Sequence, residues 1–128
     1  VSKNGKTEEI WRLEETMPHI PSPLLSGNRL YLWADNGVIT CVRPQTGEKV
    51  WKARVEGVKD TFFGSPILAG GTIFCVSAYG QVVAIADSDE FKQLGVTDLG
   101  EVCRSTPALA NGDLYLRTGE TLICVKGK

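Results

Sequence analysis

The apolar positions of this chain fall in short runs separated by turn residues, and most runs are apolar at consecutive positions. "RLYLWA", "VITCV", "TIFCVS" and "QVVAIA" are rich in β-branched and aromatic residues, which predicts strands. Consecutive apolar positions predict burial on both faces, as in a sheet packed between two others. A second pattern alternates. In "EKVWKARV", Trp51, Ala53 and Val55 share one face and Lys52 and Arg54 the other. In "EEIWRL", Trp11 and Leu13 oppose Arg12 and Glu14 in the same way. Alternation of this kind suits a half-exposed outer strand.

These runs recur in register. "SPLLSGNRLYLWADNGVITCV" starts at Ser22, "SPILAGGTIFCVSAYGQVVAI" at Ser65 and "TPALANGDLYLRTGETLICV" at Thr106. Their prolines, Pro23, Pro66 and Pro107, lie 43 and 41 residues apart, and each copy carries an aromatic at the same place (Tyr31, Phe74, Tyr115). Gly27-Asn28, Gly70-Gly71 and Asn111-Gly112 mark the first turn of each copy, and Asn36-Gly37 predicts a two-residue hairpin turn with both residues at positive φ. Three inner strands and one amphipathic outer strand per copy make a four-stranded meander. A repeat of about 40 residues with four strands is the signature of a β-propeller.

The expected fold is therefore all-β, with about three four-stranded antiparallel blades in a single partial propeller domain. Residues 1–17 hold the outer strand of a preceding or closing blade, 18–58 and 59–100 are blades, and 101–128 is an incomplete last blade. Propellers usually have about four to eight blades, so the chain reads as part of a larger ring, of six to eight blades. It opens without Met, as a processed chain or a C-terminal fragment would. The expected partners are the remaining blades of the parent chain or further copies of itself. Another protein is a further candidate. Pairing of residues 8–13 with "LICVKG" would close the ring with this chain's own ends.

Composition narrows the partners. A net charge of −1 gives no electrostatic case for nucleic acid or an anionic membrane, and runs such as Val82 to Ala86 are far too short to span a bilayer. Cys41, Cys75, Cys103 and Cys124 form no C-x-x-C pair and have no His at zinc spacing. Three of them sit in apolar runs, where a free Cys packs as a small hydrophobe.

"CVRPQTGEKVW", Cys41 to Trp51, resembles the A-x-D-x-x-T-G-x-x-x-W signature of the pyrroloquinoline-quinone-type (PQQ-like) propeller repeat. Thr46, Gly47 and Trp51 fall on its Thr, Gly and Trp, while Cys41 and Arg43 replace its Ala and Asp. In the second copy Ala84 matches and Phe91 is the nearest candidate for the Trp; near the start only Trp11 remains. The resemblance implies that Trp51 docks across a neighbouring blade. It also implies an extracytoplasmic location, in the periplasm or cell envelope, as in the propeller proteins of planctomycete-like bacteria. Quinoprotein dehydrogenases of the family hold the quinone and calcium or a lanthanide on Glu, Asn and Asp, with an Asp base. Other members lack the cofactor, among them an outer-membrane lipoprotein that assists barrel assembly.

No catalytic, cofactor-binding or metal-binding residue is assigned in this chain. His19 has no nucleophile context and reads as a loop residue. "DSDE", Asp87 to Glu90, lacks the rest of a calcium loop and reads as a solvated turn. Phe62 and Phe63, before the second Ser-Pro, are candidates for a binding surface. The expectation is a non-catalytic protein- or ligand-binding scaffold with no cofactor. The alternative is the C-terminal part of a PQQ-dependent oxidoreductase that uses quinone and calcium on residues outside this chain.

Overall fold

The computed structural model describes residues 4–58 and 60–126, so the expected boundaries at 1, 59 and 128 lie outside the described residues. Within them are eleven strands and no helix. These are β1 (Leu24–Ser26), β2 (Arg29–Trp33), β3 (Val38–Val42), β4 (Lys49–Arg54), β5 (Ile67–Ala69), β6 (Thr72–Val76), β7 (Gln81–Ala86), β8 (Gln93–Asp98), β9 (Ala108–Ala110), β10 (Asp113–Arg117) and β11 (Leu122–Lys126). They form three antiparallel meanders, β1-β2-β3-β4, β5-β6-β7-β8 and β9-β10-β11.

The pairing repeats as the sequence does. Leu24 faces Tyr31, Ile67 faces Phe74 and Ala108 faces Tyr115. The turns that permit this are local. Gly70-Gly71 and Asn111-Gly112 have positive φ at both positions, as a type I′ hairpin requires. Asn36-Gly37 differs from the expected two-residue turn. Ala34 to Gly37 form a four-residue loop closed by the Gly37 N–H on the Ala34 carbonyl, and only Gly37 has positive φ.

Residues 8–14 form no strand. They are extended, with Trp11 and Leu13 half-buried and Arg12 and Glu14 exposed, so the alternation survives without a ladder. They do not pair with β11, whose outer edge carries no partner strand among the described residues. Closure of the ring by this chain's own ends is therefore not what the structure holds. The reason is geometric: the segment lies against the first sheet, at the opposite end of the row from β11. Its indole N–H donates to the Pro44 carbonyl (2.9 Å).

Two apolar clusters lie between the sheets. The larger joins Tyr31, Trp33, Ile39 and Cys41 of the first sheet to Ile73, Val83 and Ile85 of the second. The smaller joins Val76 and Val82 to Leu116 of the third, with Cys103. The third sheet is the least covered: Leu109, Leu122 and Val125 are exposed at 46%, 70% and 45%. The cysteines are all free, and Cys124 is exposed, unlike the buried Cys41, Cys75 and Cys103. Cys124 is therefore not the packed hydrophobe its sequence context suggested, because β11 is the edge strand of its sheet among the described residues.

Candidate functional site

Where two sheets meet, the Ser/Thr-Pro openings align. The Ser22 N–H donates to the Ser65 hydroxyl (2.8 Å) and the Ser65 N–H to the Thr106 hydroxyl (2.9 Å). This is a physical reason for a hydroxyl before each proline: it satisfies a backbone donor of the preceding repeat. Pro66 and Pro107 are buried, while Pro23 is exposed. A second series of bonds runs through the loops at the same strand ends. Phe62 N–H donates to Asp35, Ala78 to Thr61, Cys103 to Ala78 and Gly119 to Val102, all backbone to backbone. Each connection between sheets is thereby stitched to a hairpin loop.

The seam between the first two sheets carries the most side-chain chemistry. Trp51 reaches from β4 to donate its indole N–H to the Ser88 carbonyl (3.0 Å). Its ring lies 5.9 Å from Tyr31 and 5.3 Å from Phe91, in tilted contacts. Phe91 thus sits beneath the Trp of the preceding sheet and is not the second repeat's own Trp counterpart. Register gives that place to Gly95, because Trp51 faces Cys41 and Gly95 faces Ala84.

Trp11 makes the same kind of contact one repeat earlier, on the turn holding Thr46 and Gly47. The Thr46 hydroxyl accepts the Glu48 N–H (3.2 Å), and Gly47 lies at φ +72°. A Cβ at Gly47 would come 2.7 Å from the Trp11 ring, so Gly is required there by conformation and by contact. Glu15, from the same segment, pairs with Lys49 and Lys52 of β4.

"DSDE" is only in part a solvated turn: Asp89 and Glu90 are exposed, but Asp87 and Ser88 are half-buried. Asp87 accepts from Arg29 (2.8 Å), Ser26 (2.5 Å) and Tyr31 (2.5 Å), all on the first sheet. Asp89 is bridged by Arg29 (3.0 Å) and Arg43 (3.0 Å). Arg43, the residue that replaces the signature Asp, therefore has an acidic partner one repeat later. Burial raises the Asp87 pKa, but the hydrogen bonds from Arg29, Ser26 and Tyr31 outweigh it and hold the carboxyl down at about 2. Burial and then the Asp87 carboxylate push the Tyr31 hydroxyl well above its usual range, and burial pushes the Cys41 thiol up to about 11. These groups hold charge and geometry and are poor nucleophiles.

The two surface candidates separate. Phe62 is fully buried, in a tilted contact 5.4 Å from Trp33 and bridged to Ser77, so it cannot present a surface. Phe63 is half-buried with the Arg104 guanidinium 5.5 Å over its ring. His19 is 84% exposed and 3.3 Å from Asp35. Among the described residues no three His, Cys, Asp or Glu side chains are placed to hold a metal ion.

Residues 2–93 match the family described as outer membrane protein assembly factor BamB, a PQQ-type repeat family. The chain belongs to this family. None of the curated proteins matches it. Among solved structures it is similar to BamB from Moraxella catarrhalis, with 19% identity and a TM-score of 0.71, over 91% of this chain and 36% of that one. It is also similar to the quinohemoprotein alcohol dehydrogenase ADHIIG from Pseudomonas putida HK5, with 12% identity and a TM-score of 0.67, over 92% of this chain and 21% of that one. A europium-containing methanol dehydrogenase gives 15% identity and a TM-score of 0.52 over 62% of this chain and 15% of that one. The chain thus spans about a third or less of these structures, and at such identities the likeness shows the fold: the three sheets are blades of a PQQ-like β-propeller.

Proposed function

We propose that this chain is a non-catalytic propeller segment that acts as a protein-binding scaffold outside the cytoplasm. One observation carries the reading: the polar and aromatic side chains that the fold brings together are spent on joining blades. Residues 18–58 and 59–100 serve as blades and 101–128 as a partial one. Trp11 and Trp51 serve as docking residues that brace each blade against the next, with Thr46 and Gly47 shaping the turn that receives Trp11. The exposed apolar residues of the third blade then supply the contact surface, either for further blades or for another protein. Phe63 remains a candidate contact residue. Location in the periplasm or cell envelope is part of this reading, and the family description, an outer membrane protein assembly factor, supports it. The second reading, part of a quinone-dependent oxidoreductase, is supported by the likeness to ADHIIG and places any cofactor site on other blades.

Light scattering after size exclusion tests the scaffold reading. The chain is expected to self-associate through its blade faces, and a clean folded monomer would contradict it. Titration of the full-length protein, other blades included, with quinone and calcium tests the second reading. No cofactor absorbance is expected, and a stoichiometric bound spectrum would replace the scaffold with an oxidoreductase.

A further inference from the structure

Three Asn-Gly pairs occur in the chain: Asn4-Gly5, Asn36-Gly37 and Asn111-Gly112. Asn is thermolabile, and a following Gly, with no Cβ, leaves its own backbone nitrogen open to attack the Asn side chain. The fold puts the pairs in different settings. The Gly37 N–H donates to the Ala34 carbonyl (3.0 Å), and the Asn36 amide oxygen accepts the Val38 N–H (3.1 Å). Gly37 is also buried, and a Cβ there would lie 3.3 Å from the Phe62 ring. Both reacting groups of this pair are held.

Asn111-Gly112 is the opposite case. It forms the type I′ turn between β9 and β10, where the ladder closes at the Ala110–Asp113 pair. Such a turn leaves the N–H groups of its two central residues outside the ladder. Both residues are exposed, and neither the Asn111 amide nor the Gly112 N–H has a hydrogen-bond partner among the described residues. Asn111 is also the one non-glycine residue at positive φ among them (+53°), a conformation unfavourable for a residue with a Cβ. The exposure does not depend on what covers the third blade. Gly70 and Gly71, in the same turn of the flanked second blade, are exposed too.

We propose that Asn111 is a site of spontaneous deamidation, with water as co-reactant, and that its product breaks the β9–β10 turn. The Gly112 nitrogen bonds to Asn111 Cγ, and its proton passes through solvent to the leaving amide nitrogen. The Cγ–Nδ2 bond breaks and ammonia departs. Water then opens the five-membered imide at either carbonyl, giving aspartate or isoaspartate. Isoaspartate adds one carbon to the backbone, and a two-residue turn cannot absorb it while Ala110 still faces Asp113. The site rests on local turn chemistry and is independent of the scaffold reading.

The folded full chain can be incubated in mildly alkaline buffer and each Asn followed by peptide mapping with mass spectrometry. Asn4-Gly5, exposed ahead of the blades, is the internal reference. Asn111 is expected to keep pace with Asn4, while Asn36 lags by at least about tenfold because its loop must open first. In denaturant the three rates are expected to converge. A lag at Asn111 equal to that at Asn36, or a difference that persists in denaturant, overturns the site. Amide exchange in β9 and β10 should quicken as the wild type ages. It should stay constant in Asn111→Gly, which recreates the Gly70-Gly71 turn of the second blade. Unchanged exchange in deamidated wild type would overturn the breaking of the turn.

Discussion

At the residue scale, Asp87 is the carboxylate on which the first seam depends. Its neighbours approach from one side as a guanidinium and two hydroxyls, and charge-assisted bonds of this kind are the stronger class. The folded pKa, about 2, lies below the ordinary 3.8. A depressed carboxylate contributes stability above its unfolded pKa and loses it as pH falls through the folded value. Stability is therefore expected to fall between pH 3.8 and about 2. Asp87→Asn should be less stable than the wild type at neutral pH and show a flatter acid limb, as read by denaturant titration across that range. Equal acid limbs in the two proteins would remove Asp87 from the account. Buried groups without partners mark the opposite case. The Trp33 indole N–H and the Thr40 hydroxyl have none, and both lie in the packed interior of the first blade.

At the element scale, the strands behave as autonomous meanders joined by side chains from their outer members. Trp51→Ala is expected to cost about 3 kcal/mol, the lower end for a large aromatic truncation because the ring is only half-buried. Loss of near-ultraviolet ellipticity with retained strand signal would show that the blades survive and the seam does not. A cost within experimental error of zero would mean that the ring contributes nothing across the seam. Much of this level was readable from the chain. The Ser/Thr-Pro spacing and the aromatic at Tyr31, Phe74 and Tyr115 located the inner strands, because pairing within a meander is local. What failed to read depends on partners or on loop length. Residues 8–14 carry a strand pattern, yet a strand exists only with a neighbour to bond. Gly95 was hidden because the second blade has one more residue between the faced pairs, 11 from Ala84 against 10 from Cys41 to Trp51. That insertion moves the docking place past Phe91, the only aromatic near it. The Arg29, Arg43, Asp87 and Asp89 cluster left a signal in hindsight. Arg43 departs from the signature Asp, and the compensating acids appear in the corresponding turn of the next repeat.

At the scale of the whole molecule, adjacent blades are held unevenly. The first seam combines an indole, tilted aromatic contacts and a half-buried ion pair. The second relies on the smaller cluster around Val76, Val82, Cys103 and Leu116 and on loop contacts such as those of Glu101 with Thr118 and Thr121. In a repeat architecture each unit's stability is set mainly by the interfaces it shares, so unequal seams predict unequal opening. Native-state hydrogen exchange tests this central claim most directly, because it reads each blade separately. The amides of β10, paired on both sides, should exchange through an opening of clearly lower free energy than those of β2, β3, β6 and β7. Equal protection across all five strands would contradict it.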